Sequence, residues 1–126
     1  MSQEIPEPVR RFIAQHVHSA AQLEVLLLLR TVPDRDWSVD EVARAQVSSP
    51  GMAEQLLEDL RRRGLAARDE ASGRFSYAPA AGFGIVIDDL AEAYATRRVA
   101  VISLIFSKPS SAVTSLADAF RLRKDR

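Results

Sequence analysis

The sequence contains no cysteine, which excludes disulfides, thiolate-bound metals and cysteine nucleophiles, and agrees with a reducing, cytoplasmic location. Long apolar runs are missing too. The most apolar windows, Val25 to Leu29 and Val99 to Phe106, fall far short of the roughly 20 residues that a membrane-spanning helix needs, so no membrane association is expected. The opening residues, MSQEIPEPVRRF, carry acids and prolines where a signal peptide would carry a basic segment and then an apolar one. Neither sign of charge is in excess: 17 basic residues stand against 17 acidic ones, and this balance does not advertise a polyanionic partner.

Catalytic signatures are equally scarce. The sequence has no G-x-S-x-G turn, no phosphate loop and no metal-ligand cluster, so neither an enzyme nor a cofactor is expected. Gly82-Phe83-Gly84 is a lone G-x-G without a third glycine, better taken as a break in the chain than as a dinucleotide loop. His16 and His18, the only histidines, point to different faces of a helix at i, i+2 and read as surface or partly packed residues rather than metal ligands.

What is present is an ordinary globular composition, 47% hydrophobic and 27% charged over 126 residues, enough for one core with appendages. Pro6 and Pro8 suit a helix start, and Val9, Phe12, Ile13 and Val17 recur behind them at helical spacing, so residues 1–18 form an N-terminal arm or helix. Ser19-Ala20-Ala21-Gln22 has the form of a capping box, opening a helix through Leu23, Val25, Leu26, Leu27, Leu28 and Leu29 that is apolar nearly all round and belongs at the centre of the core.

The stretch Trp37 to Gly64 organises the rest. Ser38-Val39-Asp40-Glu41 is a second capping box, with Trp37 and Val42 placed to close a hydrophobic staple across it. That helix runs to about Ala45, followed by a turn at Gln46-Val47-Ser48. Ser49-Pro50 then starts another helix, whose stripe of Ala53, Leu56, Leu57 and Leu60 faces inward and which Gly64 ends in a left-handed conformation. Leu65 to Arg68 and Arg74 to Tyr77 read as the strands of a hairpin turning over Asp69 to Gly73. Two helices across a short turn with a strand pair behind them outline a winged helix-turn-helix over residues 19–80.

The run Leu60-Arg61-Arg62-Arg63-Gly64-Leu65 through Gly73-Arg74-Phe75-Ser76-Tyr77 resembles the helix, R-G-L and wing-hairpin pattern of winged-helix bacterial transcriptional regulators of the MarR, PadR and BlaI-like groups. The resemblance implies a mainly α fold with a small β-hairpin, double-stranded DNA as partner, and a homodimer formed through added helices. Residues placed to meet DNA are Ser48, Ser49, Met52 and Gln55 at the start of the second helix, Arg61, Arg62 and Arg63 at its end, and Arg68 and Arg74 on the wing. Charge opposes this assignment. Residues 1–80 hold ten arginines against twelve carboxylates, a net of about −2, and Glu54, Glu58 and Asp59 lie on or near the exposed face of the second helix. A winged helix that binds protein rather than DNA remains the competing reading.

Residues 81–126 form a helical extension and a dimerisation element. A long helix is expected from Ile85, with Ile87, Leu90, Ala91, Tyr94, Val101 and Ile105 inward. Its second half is apolar on more than one face, so Tyr94, Val99, Val101, Ile102, Ile105 and Phe106, with Phe120 beyond, are expected at a dimer or partner interface. The β-branched content of residues 99–106 also allows a buried strand. A last amphipathic helix over Val113, Leu116, Ala117 and Phe120 precedes a basic tail from Arg121 to Arg126, which could add phosphate contacts in a dimer.

Overall fold

The structure, a computed structural model, describes residues 5–107. The expected last helix, the interface residue Phe120 and the basic tail lie outside the described residues. Helices α1 (Glu7–His16) and α2 (Ala20–Thr31) lead to a two-residue strand β1 (Asp36–Trp37), then α3 (Val39–Gln46) and α4 (Pro50–Arg62). Strands β2 (Ala66–Arg68) and β3 (Phe75–Tyr77) follow, and α5 (Phe83–Thr96) and α6 (Arg98–Ser107) close the described chain. The fold is mainly α with a small antiparallel sheet, as expected of a winged helix.

The sheet has three strands, in the order β1-β3-β2. Its outer strand β1 is an addition to the hairpin expected from the sequence: it pairs Trp37 with Phe75 and Asp36 with Ser76, partners that no local pattern announces. Trp37, Phe75 and Leu65 are buried, and they root the sheet in the core beside Leu57 and Leu60 of α4. The α2 helix runs through the middle, with Leu23, Val25, Leu26 and Leu29 buried and Leu27 and Leu28 partly so.

Caps fall where the sequence places them. The Ser19 hydroxyl accepts from the Gln22 amide at 3.1 Å, and Ser49 accepts from the Met52 amide at 3.1 Å behind Pro50. At α3 the box closes both ways, the Ser38 amide donating to Glu41 Oε1 at 2.9 Å and the Glu41 amide to the Ser38 hydroxyl at 3.1 Å. At α2 it closes only one way, because the Gln22 side chain turns elsewhere.

The expected long C-terminal helix is two helices, starting at Phe83 and broken at Arg97, whose φ of −137° and ψ of 52° leave the helical region. Just before the break the Thr96 hydroxyl donates to the Glu92 carbonyl at 2.9 Å, a back-bond that competes with the helical ladder. Residues 98–107 are helical, which removes the strand alternative. The α1, α5 and α6 helices pack together through Val9, Phe12, Ile13, Ile87, Leu90, Val101 and Ile105. Phe12, His16 and Phe83 form an aromatic trio at centroid separations of 5.0 to 5.6 Å, which gives His16 a packing role.

Candidate nucleic-acid interface

The α3–α4 turn is set by a helix ending that needs a left-handed residue. The Ser48 amide reaches back to the Ala43 carbonyl at 2.9 Å and the Val47 amide to that of Arg44 at 3.3 Å, which places Val47 at φ 53°, ψ 53°. Four residues later Gly51 and Met52 are exposed at the front of α4, and a Cβ built on Gly51 would meet only open space. Ala53, Leu57 and Leu60 are buried behind them, so helical period turns Gly51, Glu54, Gln55, Glu58 and Arg62 outward around one shallow groove.

Two ionic clusters flank this face. Glu58 takes Arg61 Nε at 2.8 Å from its own helix and Arg68 Nη1 at 3.0 Å from β2, fastening the wing to α4. The Arg61 hydrogen bond, ahead of the charge of Arg61 and Arg68, holds the Glu58 carboxyl below its ordinary range. On the sheet side, Arg74 reaches Asp36 at 3.2 Å and Glu41 at 2.9 Å, and Arg35 meets Glu41 at 3.3 Å while lying 3.6 Å above the Trp37 ring. Glu41 is lowered first by its backbone bond to Ser38 and then by Arg35 and Arg74.

Both carboxylates have folded pKa values below their ordinary 4.5, so their contribution is complete above that value and is lost as pH falls through the folded value. Acid titration followed by wing proteolysis or amide exchange is therefore expected to show the wing loosening below about pH 4.5. A wing equally protected at pH 3.5 and pH 7 would contradict these clamps.

A third cluster lies behind α4. Gln22 is only 2% exposed, and its side chain serves three elements: it accepts from the His18 amide, donates to the His16 carbonyl at 2.9 Å and donates to Asp59 Oδ2 at 2.8 Å. Asp59 also takes Arg63 Nε at 3.0 Å, and Arg63 goes on to the Gln15 carbonyl at 3.2 Å and to the His18 ring. The back of α4 is thus tied to the end of α1 and to the α1–α2 connector.

These clusters sort the nine residues expected at DNA. Met52 and Gln55 are exposed on the outward face, Ser48 is half-buried in the turn, and the Ser49 hydroxyl caps α4. Arg62 is the most open arginine of α4, its side chain 63% exposed and 3.9 Å from Asp59. Arg61 and Arg68 share Glu58, and Arg74 is bracketed by two carboxylates. Arg63 is directed to the α1–α2 connector, so its donors serve the scaffold. Of the opposing carboxylates, Glu58 and Asp59 are neutralised in place, whereas Glu54 is exposed without an ion pair among the described residues.

Sequence reasoning passed over Arg44. It is exposed at the end of α3, has no ion pair among the described residues and lies one turn before Val47. The signal was available: Val42 and Ala43 face inward, so Arg44 must face out beside the turn. The wing tip contributes no cation. It is an Asx turn in which Asp69 accepts from the Ala71 amide at 3.2 Å and the Ser72 hydroxyl at 2.9 Å, with Glu70 exposed.

The expected interface residues also divide. Tyr94, Val101 and Ile105 are buried in the chain's own core at 6%, 0% and 4% exposure, which corrects their assignment to a partner surface. Tyr94 donates to Glu24 Oε2 at 2.8 Å. Ile102 is half-buried, whereas Val99 and Phe106 of α6 are open at 79% and 77%, joined by Ile85 of α5 at 75%.

No family model matches the chain, and no curated protein matches it. Among solved structures, a mutant of S. aureus MepR is similar to it at 13% identity and a TM-score of 0.52, covering 92% of this chain and 84% of that one. The fold is a winged helix like that of this MepR mutant. A second MepR mutant, bound to an oligodeoxyribonucleotide, is similar at 13% identity and a TM-score of 0.50, covering 92% of this chain and 86% of that one. At this identity the likeness extends to the fold alone.

Proposed function

We propose that the chain is a double-stranded-DNA-binding transcriptional regulator that works as a homodimer in the bacterial cytoplasm, without catalytic activity or a cofactor. The observation that carries this reading is the front of α4. Gly51, Met52, Gln55 and Arg62 are turned outward and exposed, while the back of the same helix is fixed by Asp59, Arg63 and Gln22. A helix held rigidly from behind and left open in front can lie in a major groove, with Gln55 placed for an adenine edge and Arg44 and Arg62 for phosphates. The oligodeoxyribonucleotide bound to a MepR mutant of similar fold supports the same use. No single helix among the described residues is long and apolar enough to cross a membrane.

Homodimerisation is supported by the apolar side chains that stand open among the described residues, Ile85, Val99 and Phe106. The protein-interaction reading keeps one observation in its favour: most cations around the interface already neutralise carboxylates within the chain.

Fluorescence anisotropy against duplexes selected from random sequence separates the two readings. Arg44→Ala and Arg62→Ala are each expected to weaken binding by at least about fivefold and, by removing one phosphate contact from each protomer of the dimer, to lower the salt slope by about two, with melting unchanged. Failure to enrich any duplex at low salt contradicts DNA binding and leaves the protein-interaction reading standing.

A further inference from the structure

Val47 is 92% exposed and sits at φ 53°, ψ 53°, the single non-glycine residue with positive φ among the described residues. A β-branched side chain is poorly suited to that region, and no contact within the described chain offsets the strain, since an exposed isopropyl group buries almost nothing. Glycine would close the same helix ending without strain. The valine therefore places an apolar group at the leading edge of α4, and Met52, 49% exposed in the first turn of the same helix, supplies a second one nearby in sequence. Polar Ser48 and Ser49 separate them, and Arg44 stands one helical turn before.

We infer that Val47 and Met52 form an apolar reading head that selects thymine by its 5-methyl group in the major groove. This rests on the DNA-binding reading above and adds the base that is read and the residues that read it. The chemistry favours thymine. The methyl is the one apolar feature that a base pair presents in the major groove, and short aliphatic side chains meet it without needing a hydrogen-bond partner. Phosphates would be met by the neighbouring cation, Arg44, and a purine edge by Gln55, so two apolar groups at the tip have no other feature of the duplex to match. Strain at Val47 agrees with this role: a residue that costs stability in the free chain is retained where its side chain is held out toward a ligand.

The test uses the full chain and a duplex selected from random sequence, resynthesised with deoxyuridine replacing each thymidine in turn, which removes only the methyl. Wild-type protein is expected to lose about fourfold in affinity at one or two positions per half-site, the value of one buried methyl, and to be indifferent elsewhere. Val47→Gly is expected to melt about 5 °C higher, through relief of strain, while losing that discrimination. Val47→Asn, which also tolerates the left-handed region, should lose it too. Equal affinity for every deoxyuridine duplex, with salt-dependent binding intact, overturns the inference and leaves DNA binding in place. Selective loss that persists in both variants overturns the role of Val47. Failure to select any duplex overturns both the inference and the reading beneath it.

Discussion

Gln22→Leu is expected to lower stability by about 3 kcal/mol and melting by about 10 °C, a large effect for a substitution that adds apolar character to a buried site. Leucine fills the volume but leaves the His18 amide and the His16 carbonyl without the side-chain partner they have now, and removes one donor from Asp59. Three side-chain hydrogen bonds at a site 2% exposed are lost together, each worth about 0.5–1.5 kcal/mol and the one to the Asp59 carboxylate more, which outweighs the gain from burying methyl groups. Gln22→Glu separates this network from simple packing, because it is isosteric but sets a carboxylate against Asp59 at the 2.8 Å contact. The introduced carboxyl would have its folded pKa raised above the unfolded value of about 4.3, so the penalty is absent below that pH and grows until the folded pKa is passed. Thermal melts of both variants between pH 4 and pH 8 check this: Gln22→Glu should approach wild type in acid, whereas Gln22→Leu should stay low throughout. A Gln22→Leu protein as stable as wild type would contradict the network.

The second large effect distinguishes buried from open residues of α6. Val101→Asp places a carboxylate where the native side chain has 0% exposure and is expected to unfold the protein, since an unpaired buried charge costs about 3–5 kcal/mol. Val99→Asp and Phe106→Asp, at positions 79% and 77% exposed, are expected to leave the protomer folded and to break the homodimer. In a symmetric pair each substitution introduces two charges into an apolar contact, and a rise of at least about a hundredfold in the dimer dissociation constant is expected. Circular dichroism and analytical ultracentrifugation on the three variants read both halves of the prediction. Folded Val101→Asp protein would contradict the packing of α6, and an unchanged mass for Phe106→Asp at micromolar concentration would contradict this dimer surface.

What the sequence made legible is local. Ser38 with Glu41, and Ser49 with Pro50, act within one helical turn, so spacing alone places α3 and α4. The inward stripe of α4 is equally a matter of period. Long-range partners were out of reach. The β1 strand exists because Trp37 finds Phe75, and Gln22 is buried because Asp59, 37 residues away, comes to meet it. A glutamine three residues after a serine fits a capping box as written, and only tertiary packing diverts its side chain to three other partners.

The same limit governs the candidate site. Arginines and carboxylates can be counted in a sequence, but their pairing depends on which helix lies against which strand. Counting alone made the outward face of α4 acidic. The structure assigns Glu58 to Arg61 and Arg68, and Asp59 to Arg63, so two of the three opposing carboxylates are neutralised while Arg63 is withdrawn from the DNA candidates. The α6 residues divide for a related reason: helix 98–107 is apolar all round, and its periodicity cannot reveal that Val101 and Ile105 face α1 and α5 while Val99 and Phe106 do not.

The central claim, that a rigidly backed α4 meets DNA in a dimer, is tested most directly by the salt dependence of binding to a selected duplex. Two protomers each contributing Arg44 and Arg62 neutralise about four phosphates, so log K against log salt is expected to fall with a slope of about −4 between roughly 50 and 200 mM. The double variant Arg44→Ala, Arg62→Ala should bring that slope close to zero at the same dimer mass. A flat line for the wild-type protein, or no binding at the low-salt end, would contradict the account.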